Sequence, residues 1–117
     1  MKKGTRKHQR YSYIATAALR IKENDDTEPV TVMVQNISQG GMGVFLEHAV
    51  ENGTPVSVEV NFISSLGAEV KDTIDGKVSS IAERDGLNFV GISFDEELSP
   101  KKQPNLYELF EQSIKGD

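Results

Sequence analysis

Val56-Ser57-Val58-Glu59-Val60-Asn61-Phe62 is the stretch that decides the fold. Apolar and polar residues alternate without a break. A period of two is the signature of a strand, because successive side chains leave opposite faces of the backbone. One face of this strand is therefore built for a core and the other for water. The same rhythm recurs on both sides. Tyr13, Ala15, Ala17, Leu19 and Ile21 share a face, with Thr16, Arg20 and Lys22 on the other. Val30, Val32 and Val34 alternate with Thr31 and Gln35. Val70, Ile74 and Val78 suggest a further strand, and Leu87 to Phe94 is rich in aromatic and branched residues.

Turn chemistry separates these runs. It appears at Glu23-Asn24-Asp25-Asp26, Gly40-Gly41, Glu51-Asn52-Gly53-Thr54-Pro55, Ser64-Ser65-Leu66-Gly67 and Arg84-Asp85-Gly86. Asp85-Gly86 is a strong signal for a two-residue hairpin. About six strands at meander spacing predict a mainly all-β protein, a six-stranded antiparallel β-barrel, since closure leaves no exposed edge. The period then changes. Leu106, Leu109, Phe110 and Ile114 form the stripe of an amphipathic C-terminal α-helix over about 104–115, opened by Pro104 and closed by Gly116. That stripe needs a cover, either a barrel face or mouth or a partner protein.

The chain has 117 residues, enough to bury about two thirds of its unfolded surface without staples. It has no cysteine, so it holds no disulfide or thiolate chemistry. Met1-Lys2-Lys3 is followed by no apolar run, so no secretory signal is read. The uncharged stretch from Pro29 to Leu46 is too rich in polar residues, glycine and proline to cross a bilayer as a helix. The expectation is a soluble, cytoplasmic protein without membrane insertion.

Charge is placed unevenly within a net −5. Lys2, Lys3, Arg6, Lys7 and Arg10 make residues 1–10 a +5 segment without an acid, which leaves −10 for the rest. The organisation expected is a flexible basic arm over 1–12 and one barrel domain over 13–117. So acidic a body disfavours DNA or RNA as a partner. His8 and His48 lie in different contexts and show no metal-ligand spacing. Ser38 has no evident His and Asp partners for nucleophilic chemistry. No catalytic residue, metal or cofactor is assigned, and the chain is not read as an enzyme.

Two clusters remain. Arg6-Lys7-His8-Gln9-Arg10 carries two arginines four apart. Each guanidinium is a rigid fork that pairs with phosphate or with the O6 and N7 of guanine. The bland alternative is a solvated charge run. Tyr11 and Tyr13 are read as anchors of the arm on the first strand. The second cluster, Asn36-Ile37-Ser38-Gln39-Gly40-Gly41, follows the valine strand. Buried positions are even up to Val34, but Ile37 is odd, and such a change of parity calls for a bulge. The bulge would turn Asn36 and Ser38 outward together. Gly40 and Gly41 would supply positive φ and close approach, and successive N–H groups of such a turn can form an anion nest. An ordinary hairpin turn is the alternative. Taken together, the clusters suit an anionic ligand that presents guanine edges.

Arg6-x-x-x-Arg10 followed by Asn36-x-Ser38-x-x-Gly41 resembles the PilZ domain pattern, an RxxxR arm and a [D/N]xSxxG turn. The similarity extends over essentially the whole chain, including Gly76-Lys77-Val78, Phe89 to Phe94 and the terminal helix. It implies a six-stranded barrel with a C-terminal helix and a bacterial receptor for cyclic di-GMP. By position, Arg6 and Arg10 would grip guanine edges and phosphates, and Asn36 a guanine edge. Ser38 would reach a phosphate or nearby backbone, and Gly40 and Gly41 would shape the turn. Asn36 stands where many members carry Asp. Ser79 and Ser80 fall where several members carry an aromatic residue. Thr5 leaves open whether one or two ligand molecules bind. The resemblance further implies an unidentified downstream protein. A PilZ-like adaptor that works without ligand is the alternative.

Overall fold

The computed structural model describes residues 14–22, 28–47, 49–64 and 66–115, with the side chains of 113–115 excepted. Six strands and one helix follow in order: β1 Ala15–Ile21, β2 Val30–Ile37, β3 Gly41–Leu46, β4 Pro55–Ile63, β5 Glu69–Arg84, β6 Leu87–Phe94 and α1 Pro104–Lys115. All neighbouring strands are antiparallel and the sheet closes as β1-β2-β3-β6-β5-β4. The expected six-stranded antiparallel barrel with a C-terminal helix is the fold observed.

The stretch at 56–62 behaves as its alternation requires. Val56, Val58 and Val60 are fully buried, while Ser57, Glu59 and Asn61 are only half-buried. They face Ala17, Leu19 and Ile21 of β1 and Ile74 of β5 in register. Each such valine removed from water contributes about 1.5–3 kcal/mol before conformational entropy is subtracted. The paired Asp85 and Gly86 both adopt positive φ, 53° and 84°, the conformation of a two-residue hairpin whose twist matches its strands.

Strand β5 is longer than its apolar signature suggests. It runs sixteen residues and passes straight through Ser79-Ser80 to Arg84. A register shift between Val78 and Ser80 explains why the pattern fades there. Val78 points inward, Ser79 is the extra residue, and the next inward residue is Ile81, opposite Val90.

The helix covers a barrel mouth. It contacts both β5 and β2, which lie on opposite sides of the six-strand ring. An element that touches both must cross the opening between them. Leu106 is fully buried in the strand core, and Leu109 and Phe110 pack at its margin. Its N-terminus is held from outside: Asp72 of β5 accepts the backbone N–H of Leu106 at 2.7 Å and the Asn105 side-chain amide at 3.4 Å. A carboxylate there satisfies an otherwise orphaned N–H and favours the positive end of the helix.

Candidate ligand site

Strand β2 holds the first irregularity of the barrel. Its pairing with β3 shifts between Val34 and Asn36, so Gln35 is the extra residue. Val34 and Ile37 are both buried, at odds with a strict alternation, and Asn36 is exposed. The change of parity read from the sequence is therefore a β-bulge, and it does turn Asn36 and Ser38 to solvent. Two neighbouring amides result: Asn36 Nδ2 donates to Gln35 Oε1 at 3.3 Å.

Beyond the bulge the chain turns tightly. The Ser38 N–H donates to the Gly41 carbonyl at 2.8 Å, and the Ser38 hydroxyl donates to the same oxygen at 3.2 Å. That exposed hydroxyl can rotate toward an anion at the loss of one weak hydrogen bond, about 1 kcal/mol. The other turn carbonyls are tied down. Gly40 C=O accepts from Phe94 N–H and Gln39 C=O from Leu98 N–H, both at 2.8 Å. Leu98 is buried, so the turn is fastened to the segment that leads into α1.

The glycines work differently from the expectation. Among the described residues, positive φ occurs at Gly53, Gly67, Asp85 and Gly86, but not at Gly40 or Gly41. Without it the turn is not the alternating nest that was anticipated. Gly41 is required for another reason: a Cβ there would collide with the backbone carbonyl of Ile92 on β6. At Gly40 a Cβ would meet nothing. Close packing of β3 against β6, rather than left-handed backbone, sets the demand for glycine.

Register extends the site across the barrel. Asn36 pairs with Gly43, Gly43 with Gly91, and Gly91 with Ser80. A polar bulge thus stands at each end of a row whose two middle strands carry glycine. Followed around the wall, the ends are three interstrand spacings apart, about 14 Å. Asn36 Oδ1 and Phe89 Cζ each lie 2.9 Å from where a Gly43 Cβ would stand, so amide and ring meet over that glycine. Phe89 contacts Phe45, with ring centroids 5.1 Å apart, and Arg84 lies over its ring at 5.3 Å. Gln35, Ser80, Phe89 and Arg84 were not singled out as site residues from the sequence. The second parity change, Val78 to Ile81, is the signal that would have pointed to this end of the row.

Arg6 and Arg10, with Tyr11 and Tyr13, lie outside the described residues. Of the six residues expected at the site, the structure brings Asn36, Ser38, Gly40 and Gly41 together on one bulged turn. A separate open groove of about 370 Å³ lies between β5 and the segment before α1. Three carboxylates line it, Asp75, Asp95 and Glu96, of which Lys22 pairs with Asp75 and Lys102 with Glu96, so it offers little to an anion.

The fold is a closed barrel with an exposed polar turn at the β2–β3 bulge and no partner strand left over for it. The chain matches the PilZ domain over residues 4–112, and it belongs to that family. The matched span contains both Arg6-x-x-x-Arg10 and Asn36-x-Ser38-x-x-Gly41. PilZ domains are cyclic di-GMP-binding modules, receptor domains rather than catalytic ones. No curated protein matches the chain. Among the described residues, no helix is long and apolar enough to cross a membrane.

Proposed function

We propose that this protein is a cyclic di-GMP receptor whose basic arm closes over the bulged β2–β3 turn. The observation that carries the reading is the joint exposure of Asn36 and Ser38 on that turn, in a chain of this family that also has the arginine pair. The ligand presents two phosphates and two guanines. Arg6 and Arg10 supply guanidinium forks for phosphate oxygens and guanine O6 and N7. Asn36 offers an amide oxygen to a guanine N–H, and Ser38 a hydroxyl to a phosphate. Each bidentate guanine contact is worth about 1–3 kcal/mol, and micromolar affinity needs about −8 kcal/mol. Two forks, a stack and the turn reach that sum after the ordering of the arm is subtracted.

Closure converts ligand concentration into a new surface that a downstream protein reads. Isothermal titration with cyclic di-GMP tests the reading, with GTP and cyclic di-AMP as controls. The expected result is selective heat with the parent, lost on replacing Arg6 and Arg10 together by alanine. Parent and double variant giving the same flat trace would defeat it.

A ligand-independent adaptor is the second reading. It is favoured by one observation: Leu66 and Ile63, at the β4–β5 hairpin, leave 93% and 64% of their surface in water. Apolar residues so placed suit a protein contact. The same titration separates the two, because an adaptor would bind its protein partner equally with and without cyclic di-GMP.

A further inference from the structure

We propose that Arg84 is a third arginine of the ligand site, supplied by the barrel rather than by the arm and held ready by Phe89. This rests on the reading of the bulged turn as a cyclic di-GMP site, and it assigns that site a stacking surface.

The bulge in β5 is what makes Arg84 available. Ile74 and Val78 point into the core at even positions. An unbroken strand would send residues 80, 82 and 84 the same way. The extra residue Ser79 reverses the parity, so Ile81 takes the core side while Ala82 and Arg84 are exposed. The Asp85-Gly86 hairpin then returns β6 with Leu87 opposite Arg84 and Phe89 opposite Ala82. Phe89 is thus the diagonal neighbour of Arg84 on the outer face, within reach of a long side chain. Ala82, directly opposite Phe89, is small. The Arg84 guanidinium carbon lies 5.3 Å from the Phe89 ring centroid, inside the range of a cation–π contact.

Phe89 links this pair to the turn. Its Cζ and the Asn36 carboxamide oxygen approach the same point above Gly43. Arg84, Phe89 and Asn36 therefore form one continuous strip, on strands whose register is fixed by the barrel. Among the described residues Arg84 has no ion pair. A guanidinium is planar and stacks on both faces. The Arg84 guanidinium lies over the Phe89 ring, and Arg84 is exposed to solvent. For a purine whose edge is held by Asn36, Arg84 offers a flat, charged surface already drawn toward the strip by the Phe89 ring. Here an arginine backed by a ring serves as the stacking platform that Ser79 and Ser80 do not provide.

The test is titration calorimetry of the full chain with cyclic di-GMP, comparing the parent with Arg84→Ala, Arg84→Lys and Lys71→Ala. Lys71 is an exposed cation paired with Glu59, away from the strip. The expected outcome is about tenfold weaker binding for Arg84→Ala, in the lower part of the range for losing one base-stacking side chain. Arg84→Lys should recover little, because a lysine restores charge but no plane, and Lys71→Ala should bind as the parent does. Phe89 ring resonances should shift on titration of the parent and stay still in Arg84→Ala. If the parent binds and Arg84→Ala stays within twofold of it, the third arginine is overturned while the receptor reading stands. Full recovery by Arg84→Lys would also overturn it, by reducing the contact to charge. A parent that does not bind overturns both.

Discussion

The wall made by β1 and β4 and the wall made by β2, β3, β6 and β5 are built from the same residue types but obey different rules. In the first, pairing runs from Thr16 opposite Asn61 to Ile21 opposite Val56 without a slip, and nine further pairs join β4 to β5. In the second, both outer strands slip by one residue, at Gln35 and at Ser79. The regular wall commits its alternate positions to the core and leaves ordinary polar residues outside. The interrupted wall loses ladder hydrogen bonds at each slip and gains two adjacent outward side chains in return. Chemistry collects where the period fails.

The strongest way to break this contrast is a core truncation in the regular wall. Leu19→Ala, at a position only 1% exposed, should lower unfolding free energy in urea by about 2–5 kcal/mol. The fraction that remains folded should still titrate with cyclic di-GMP at parental affinity. A matching loss of affinity would mean that the two walls are not separable. Next in size is Gly41→Ala, which drives a methyl into the Ile92 carbonyl and should cost about 1–3 kcal/mol in stability together with most ligand binding. Asp72→Ala removes the clasp on the Leu106 N–H and should cost about 1 kcal/mol, read as a lower urea midpoint with a loss of helical circular dichroism. Smallest is Gly40→Ala. A methyl there meets nothing and φ is not positive, so stability should change by less than about 0.5 kcal/mol. Set beside Gly41→Ala in one urea series, it shows whether packing rather than backbone conformation selects the second glycine.

How far the sequence alone reaches follows the same division. The alternation at 56–62 and the helical stripe at 106–110 report burial directly, since each buried position there is apolar and each period is unbroken. The bulge at Gln35 was legible because valines flank it on one side and Ile37 answers on the other. The matching bulge at Ser79 carries the same kind of signal, Val78 even and Ile81 odd, but it rests on Ile81 alone, because the serines and the alanine beside it carry no hydrophobic beat. The glycines misled for a different reason. Asn-Ser-Gly composition signals positive φ in general, yet here Gly41 is dictated by a carbonyl on β6, fifty residues further along the chain. That pressure is tertiary and leaves no local mark. Gly43 and Gly91, which stand in the row between the two bulges, could be placed only by register across four strands.

The ring of strands has a consequence for whatever protein reads the ligand-bound state. Many small β domains greet a partner by letting it zip onto a free edge, backbone to backbone, with modest regard for side-chain identity. A sheet joined end to end offers no such edge around its ring, and only the end of β5 beyond Val78, paired with β6 alone, leaves one backbone side without a strand. Over the closed ring, recognition runs through side chains displayed on the outside of the cylinder, at the hairpin tips or along the capping helix. A partner built that way can tell this cylinder from others of the same fold by its surface alone.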